Sequence, residues 1–543
     1  MDDTQKDTRK TSLQMPLILE NDLSESTSNR DYDENLNSFD PGTLENSKLT
    51  KFCIFCGLVV SLASFQFGYK MSELNNPKDA IINCGKSQDP LNAKLIAGYT
   101  SALPKCLPMS ETYFGVATSI FAIGGLIGSL ASGPFVSKYG RKKTLMFNST
   151  LFFIGSVFET FATKPIMLVL GRFISGIGSG VGIVVAPMYL TEIAPMRYRG
   201  LLNLFNQMNI VFGIFVAQVL GYVFGTVNHW RLVLGFGILA SLINGVTMLM
   251  VVESPRHFFN LSDFRSAENI LIKLRGTSDV SEELKGWMVG HRNSSVAQTN
   301  NADTGVNNSR NGSSSNNEYS GEQYIDEIGQ TEPKITLFSI FRMKKYYHSL
   351  ILVATLQIGQ QFSGINTVFF YSNTIFSKMF SQNMSSILTL MIGLVNVIFT
   401  LIAVFIVDRI PRRKLLFTSM IMMFLSLGLQ TVSMFAKINA LSVISLFMII
   451  VSFAPGYGPL PFLISTEVFD SQAIAAGNSF SLGANWIGTF ILGVSFLSMN
   501  ESLGNYTFIV FMFFLVVFGV FYYFYLPETK NKTFGEVSEE FVF

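Results

Sequence analysis

The chain has 543 residues, of which 49% are hydrophobic and 14% charged, and its formal net charge at pH 7 is +2. Soluble domains carry about 25% charged residues, so this composition excludes an ordinary soluble protein. The net charge by itself indicates no class of partner, but the sequence contains no basic-aromatic cluster, and we therefore expect no nucleic-acid partner.

The apolar residues come in blocks that follow a polar start. Residues 1–50 are rich in Asp, Glu, Asn, Ser and Thr, and we expect a disordered tail there. About twelve apolar blocks of about 20 residues follow, the length that crosses a hydrocarbon core of about 30 Å. They fall into two sets, at 51–252 and 349–526. The blocks predict an all-α membrane protein with two bundles of six transmembrane helices.

Two cysteines lie in the long loop 72–111 between the first two predicted spans. These are Cys84 and Cys106. The loop is on the non-cytoplasmic side of the predicted topology, where disulfides form. We expect a Cys84–Cys106 disulfide; the alternative is two independent thiols.

Three short motifs occur twice in the chain. The matched residues are Arg141 and Arg412, Glu192 and Glu467, and Glu253 and Glu528. The first pair is 271 residues apart (412 − 141), and the other two are 275 apart (467 − 192 and 528 − 253). This spacing indicates a tandem duplication. A duplicated membrane half is typical of secondary transporters, which bind substrate between the halves.

Basic residues in the short loops predict the orientation. They cluster at 138–143, 197–199 and 409–414, whereas the opposite short loops carry about one each. Both termini are therefore expected in the cytoplasm. The linker 253–348 and the tail 527–543 are expected in the cytoplasm as well. Within the linker we expect short helices and a disordered Asn/Ser/Gly-rich insert at 291–332.

Five motifs together resemble the sugar porters of the major facilitator superfamily. They are GRFISGIGSG at 171–180, APMYLTEIAP at 186–195, ESPR at 253–256, QQFSGIN at 360–366 and PETK at 527–530. The resemblance covers about residues 51–535. It implies two pseudo-symmetric bundles that rock about a central site, in a plasma or vacuolar membrane, with one chain as the transport unit.

The seventh predicted helix concentrates polar side chains: Gln357, Gln360, Gln361, Ser363 and Asn366. Amides are costly in a bilayer unless they find partners or water. Like sugar hydroxyls, they both donate and accept hydrogen bonds. We interpret them as a monosaccharide site; the alternative is interhelical bonding worth roughly 0.6 kcal/mol per bond. The substrate-binding set, largely implied by the resemblance, is Gln207, Gln360, Gln361, Asn366, Asn396, Phe462, Asn485 and Trp486.

Three departures from the glucose-transporter pattern leave the substrate open between a hexose, another monosaccharide and a polyol. Ala454 stands in place of a Glu, Phe462 in place of a Trp, and Thr489 in place of an amide. The sequence shows no nucleophile–base pairing, metal-ligand spacing or phosphate loop. We therefore expect no enzymatic activity, no metal and no cofactor.

Lys70 occupies the place of the Asp of proton-coupled members and the Asn of uniporters. A lysine cannot couple protons in the same way, and it would leave Arg172 facing a second positive charge. Lys70 either pairs with Glu73 at i, i+3 or extends to the outer interface. We expect passive uniport. The alternative is proton-coupled sugar or polyol symport with Glu73 as the replacement proton site.

The duplicated cytoplasmic motifs predict a gate, because a switch needs contacts that differ between two states. Arginines of the two motifs can reach Glu192 and Glu467; the alternative is simple positive-inside anchoring. The gating set is Tyr371, Arg141, Glu192, Arg199, Glu253, Arg256, Arg412, Arg413, Glu467 and Glu528. A non-transporting nutrient sensor on the same scaffold is a further alternative, against which the short tail counts (543 − 526 = 17 residues).

Overall fold

The computed structural model describes residues 49–83, 103–287, 337–407, 409–469, 473–530, 532 and 536–537, and within these ranges the ordered elements are helices. Most of the predicted N-tail, Cys84 and the insert 291–332 lie outside the described residues. Cys106 forms a disulfide. Cys53 and Cys56 are free thiols.

Among the described residues up to Arg275, the first half contains six long α-helices and three short ones. In chain order they are α1 (Lys51–Ser72), α2 (Lys78–Ile82), α3 (Glu111–Tyr139), α4 (Arg141–Thr160), α5 (Pro165–Ile193), α6 (Arg199–Phe224), α7 (Trp230–Leu249), α8 (Pro255–Phe259) and α9 (Phe264–Arg275). Polar caps begin several of them: Thr50 Oγ1 accepts from Cys53 N at 3.1 Å at the start of α1.

The second half repeats the pattern with two of its spans divided. Its helices are α10 (Tyr347–Phe362), α11 (Ile365–Ser377), α12 (Gln382–Val407), α13 (Arg412–Ala436), α14 (Asn439–Phe453), α15 (Leu460–Glu467), α16 (Ile474–Leu503) and α17 (Thr507–Tyr525). If α10 with α11, and α14 with α15, each count as one span, this half has six spans, as the first half does.

Eight helical stretches are each long and apolar enough to cross a membrane on their own. The other expected spans fall short for physical reasons. The helix α4 begins with Arg141, Lys142 and Lys143, and the two divided spans are interrupted in mid-membrane. The last stretch, Ala476–Tyr525, contains both α16 and α17. The chain is thus an integral membrane protein with twelve crossings in two sets of six.

A glycine causes the break between α10 and α11. Gly364 has φ = 87°, in the left-handed region that favours glycine. The chain turns there and places Asn366 in the first turn of α11. The break between α14 and α15 spans residues 454–459, where Pro455 and Pro459 cannot donate backbone hydrogen bonds.

The two bundles meet along α3 against α16 and along α6 against α12. The first contact is close because glycines line it. A methyl group on Gly493 of α16 would lie 2.4 Å from Ser119 Oγ of α3. The polar cluster described next lies within the second bundle, beside this interface.

Candidate functional site

An amide network joins α10 to α16. Asn485 Nδ2 donates to Gln357 Oε1 at 2.7 Å and to Gln360 Oε1 at 2.9 Å. Gln357 Nε2 donates to Ser481 Oγ at 3.0 Å. Because each amide both donates and accepts, the side chains hold one another in fixed orientations.

The broken tenth span orients Gln360. Its Nε2 donates to the carbonyl oxygens of Tyr457 and Gly458, at 2.8 and 2.7 Å. Both carbonyls lie in the interruption between α14 and α15, where backbone oxygens are free to accept from side chains. The motif that interrupts this span thus supplies two acceptors to the network.

The network continues across the break in the seventh span. Gln361 Nε2 donates to Gln360 Oε1 at 3.1 Å, and Asn366 Nδ2 donates to Gln361 Oε1. Asn366 Nδ2 also lies 3.4 Å from Thr489 Oγ1 on α16. Gln360, Gln361 and Asn366 are only 3–5% exposed. Thr489, which stands in place of a family amide, therefore still contributes a polar atom.

Four predicted substrate residues lie outside this network. Asn396 of α12 is buried and lies 3.4 Å from Thr400 Oγ1 of its own helix. Gln207 is exposed on α6, and Phe462 is half-buried on α15. Trp486 packs edge-on against Phe67 and Phe121 of the first bundle, with centroids 5.8 and 6.0 Å away. Its indole nitrogen has no hydrogen-bond partner in the described parts of the chain.

The predicted outer-gate residue Tyr371 is fully buried. Its hydroxyl donates to the carbonyl of Gly493 at 2.9 Å, and its ring stacks on Phe496 at 5.2 Å. Tyr371 therefore holds α11 against α16 at the end of the bundle opposite the basic motifs.

A polar latch, formed by Asn75 and Asn76 with Ser372 and Asn373, ties the bundles together at that same end. Asn75 Nδ2 donates to Ser372 Oγ at 2.8 Å and to the Phe369 carbonyl at 2.9 Å. Asn373 Nδ2 donates to Asn76 Oδ1 at 2.8 Å. The sequence analysis did not single out these residues, although the asparagine pair just before Pro77 was a signal available to it.

Carboxylates hold the basic motif of the first half, which was predicted to be cytoplasmic. Arg141 Nη2 lies 2.8 Å from Glu192 Oε1. Glu253 Oε1 accepts from the backbone nitrogens of Arg141 and Lys142 at 2.8 and 3.0 Å, and Ser254 Oγ donates to Glu192 Oε2 at 2.5 Å. Glu253 thereby caps α4, whose first backbone N–H groups have no partner in the helix.

His257 adds a titratable group to this cluster. Its Nδ1 lies 3.2 Å from Arg141 Nη1, so the guanidinium donates to a neutral imidazole. Burial, the largest cause, and the neighbouring Arg141 lower the pKa of His257, against the opposite pull of Glu253.

The second half repeats the arrangement almost atom for atom. Glu528 accepts from the backbone nitrogens of Arg412 and Arg413 at 2.8 and 3.1 Å. Arg412 Nε lies 3.4 Å from Glu467 Oε1, and Thr529 Oγ1 donates to Glu467 Oε2 at 2.5 Å. Each of these described bonds joins residues of one bundle.

Three arginines of the predicted gate form no ion pair with a carboxylate in the described ranges. The guanidinium of Arg413 donates to the Tyr523 carbonyl at 2.6 Å. Arg256 lies 5.3 Å from the Trp287 ring. Arg199 is half-buried, and its Nε has no partner among the described residues.

A charge quartet of Lys70, Glu73, Glu159 and Arg172 lies inside the first bundle, each side chain at most 1% exposed. Lys70 Nζ lies 3.0 Å from Glu73 Oε2 and also pairs with Glu159. Arg172 Nη1 lies 2.9 Å from Glu73 Oε1. Lys70 and Arg172 both pair with Glu73, so the second positive charge expected to face Arg172 is balanced by a carboxylate between the two cations. The alternative in which Lys70 extends to the interface is wrong, because Lys70 is 1% exposed.

Glu159 is the member of the quartet that the sequence analysis missed. It lies on α4, 89 residues from Lys70 in the chain, and also accepts from Ser175 Oγ at 2.7 Å. The only sequence feature that could have indicated this role was a carboxylate near the end of a predicted span. Nothing in the sequence indicated which cation it faces.

Comparisons with known proteins place this architecture in a family. The family model described as "Sugar (and other) transporter" matches residues 56–309 and 294–541. Facilitated glucose transporter member 1 of Gallus gallus is 32% identical, over 88% of this chain and 91% of its own length. A probable metabolite transport protein of Saccharomyces cerevisiae is 31% identical, over 91% of this chain and 96% of its own.

Solved structures agree on the fold. The xylose transporter XylE from E. coli, in a partially occluded inward open conformation, superimposes with a TM-score of 0.67 at 20% identity. The match covers 89% of this chain and all of that one. The protein has the fold of the major facilitator superfamily. Within that class, the chain belongs to the sugar transporter family.

Proposed function

We propose that this protein carries a monosaccharide across a membrane by alternating access, as a facilitative uniporter. The observation that carries the proposal is the amide network of Gln357, Gln360, Gln361, Asn366 and Asn485, which presents paired donors and acceptors beside the bundle interface. A sugar that replaces part of these mutual bonds recovers their energy through its own hydroxyls. The relatives named as facilitated glucose transporters support a hexose as the substrate.

The charge quartet supports uniport over proton symport. Two cations and two carboxylates face one another, and each carboxylate has a cationic partner. A symporter needs a carboxylate that takes up and releases a proton in each cycle, whereas each carboxylate here has a cationic partner that favours its charged form. Burial of Glu73 and the neighbouring Glu159 act in the opposite direction, so transport under a pH gradient decides between the two.

In an alternating-access cycle, the contacts between the two bundles correspond to the inward-facing state. The polar latch joins the two bundles at the end opposite the basic motifs, whereas the hydrogen bonds described for Arg141 and Arg412 each join residues of one bundle. Both termini are then cytoplasmic, in a plasma or vacuolar membrane. The transport unit is a single chain, because one chain supplies both bundles.

Uptake of labelled sugars and polyols by purified protein in liposomes, with and without an imposed pH gradient, tests the proposal. We expect equilibration of at least one monosaccharide and no accumulation driven by the gradient. Accumulation would contradict uniport, and no uptake of any neutral sugar would contradict transport.

A pair of glutamine variants tests the site itself. Gln361→Ala breaks the network and should abolish uptake while the protein remains folded. Gln430→Ala is the matched control: Gln430 is equally buried, but its amide bonds Ser442 within the second bundle, where Nε2 lies 2.9 Å from Oγ. Unchanged uptake by Gln361→Ala would show that the site lies elsewhere.

A further inference from the structure

In the first bundle, six uncharged side chains have buried polar atoms without a hydrogen-bond partner among the described residues, and Ser72 and Gln218 are two of them. The other four are Gln66 of α1, Asn148 and Ser156 of α4, and Asn244 of α7. The exposed fractions of these four are 3%, 0%, 0% and 1%. Each buried polar group left unbonded costs about 1–3 kcal/mol, and lipid around the bundle offers no partner.

Two of these side chains lie beside the charge quartet. A methyl group on Gly237 of α7 would lie 2.5 Å from Ser156 Oγ and 3.1 Å from Lys70 Nζ. Gln66 is four residues before Lys70, and therefore lies on the same side of α1 one turn away. Gly237 therefore lets α7 approach Ser156 and Lys70 closely, so Ser156 lies beside the quartet.

The other two side chains, Asn148 and Asn244, lie further along α4 and α7, away from the quartet. Methyl groups on Gly178 and Gly182 of α5 would lie 3.2 Å from Asn148 Oδ1 and 3.3 Å from Asn148 Nδ2. Asn244 follows Gly237 by seven residues, which is about two turns along the same face of α7. Gln66, Ser156, Asn148 and Asn244 thus form a polar seam inside the bundle.

We propose that the polar seam is a water-binding site, occupied by ordered water molecules that solvate the charge quartet from within the bundle. A buried water needs about three hydrogen-bond partners, and the seam supplies both donors and acceptors at successive levels. Water fits better than a metal cation, because the two cations and two carboxylates of the quartet already balance.

The seam is closed toward the cytoplasm by an apolar layer. Val60, Leu145, Val185 and Met248 pack together there and are at most 1% exposed. Water in the seam therefore hydrates the quartet without linking it to the cytoplasm. The seam also lies apart from the amide network, so its hydration does not depend on which solute the protein carries.

Brief X-ray irradiation of the unmodified protein tests the proposal directly, because radicals formed from bound water oxidise the side chains beside it. Phe152 is 0% exposed, and its ring and Asn148 Oδ1 both approach the position of a Gly178 methyl group, at 3.3 and 3.2 Å. Phe376, also 0% exposed, lies in the apolar core of the second bundle and is the control. We expect Phe152 to oxidise several-fold faster; equal rates would overturn the proposal.

Leucine variants give an independent test by thermal unfolding in detergent. If water bonds the amides, Asn148→Leu and Asn244→Leu each lower the midpoint by about 2 °C or more, and the double variant loses less than the sum. Ser149→Ala, whose hydroxyl donates to Leu145 of its own helix, should change little. Unfolding midpoints that rise in the leucine variants would indicate an interior without water. A midpoint of the unmodified protein that is higher in Na⁺ than in choline would indicate a bound cation. Either result would overturn the proposal.

Discussion

The carboxylate of Glu253 lies 2.8 Å from the backbone nitrogen of Arg141, at the first residue of α4. Glu528 stands in the same relation to Arg412, at the first residue of α13 and also at 2.8 Å. In each bundle, a glutamate three or four residues after the last long helix (528 − 525 and 253 − 249) caps the helix that begins with an arginine of the basic motif. The duplication is therefore preserved at the level of single hydrogen bonds.

These two caps should stabilise their bundles by similar amounts. Replacing either acid, as Glu253→Ala or Glu528→Ala, removes an anion and an acceptor from a helix N-terminus and should cost about 1 kcal/mol. Thermal unfolding of the purified protein measures this loss. Glu501→Ala, at an exposed acid near the end of α16, is the control. Equal effects of Glu253→Ala and Glu501→Ala would show that the cap contributes nothing.

The charge quartet should tolerate loss of a matched pair better than loss of a single member. Lys70→Met leaves Glu159 without its cation, and breaking a buried pair costs about 3–5 kcal/mol. Lys70→Met with Glu159→Gln removes one charge of each sign and should recover much of the stability. Monodispersity and unfolding temperature in detergent report both effects. A double variant as unstable as Lys70→Met alone would contradict this account.

His257 should make the stability of the Arg141–Glu192–Glu253 cluster sensitive to acid. Burial and Arg141 lower its pKa below the ordinary value of about 6.5. Between that lowered pKa and about pH 6.5 the unfolded chain binds more protons than the native one. Stability is therefore full above that window and falls as the pH drops through it.

Unfolding temperatures measured between about pH 7.5 and pH 5 test this expectation. His257→Gln keeps an acceptor for Arg141 but cannot titrate near neutral pH, so its profile should be flatter than that of the unmodified protein. His229→Gln, at an exposed histidine, should leave the slope unchanged. An unchanged slope in His257→Gln would locate the sensitivity elsewhere.

Weakening the polar latch should favour the outward-facing state. The Asn75 amide donates two bonds and accepts a third from Asn373 N at 3.1 Å, all between the bundles. At roughly 0.6 kcal/mol each, the three bonds bias the equilibrium about twentyfold. The labelling rate of a Ser119→Cys reporter by an external maleimide should rise when Asn75→Ala is added. The matched control is Asn439→Ala, whose amide bonds the Met379 carbonyl within one bundle. Equal rates in both variants would show that the latch does not hold the outer end.

The sequence predicted the parts of this protein that depend on composition and spacing. About twenty apolar residues in a row must cross the bilayer as a helix, and this fixed the number of crossings. The motif QQFSGIN concentrated amides around Gly364, and the structure joins Gln360, Gln361 and Asn366 in one network. Repeated motifs at a near-constant spacing similarly anticipated the paired clusters of Glu253 and Glu528.

Contacts between distant segments were decided only by the tertiary structure. Glu159 neutralises Lys70 across two helices, and Asn75 meets Ser372 across the bundle interface, although 297 residues separate them. A local sequence pattern indicates that a buried charge or amide needs a partner, because burying such a group without one costs free energy. Which partner it finds depends on how the helices pack, and helix packing is a property of the whole chain.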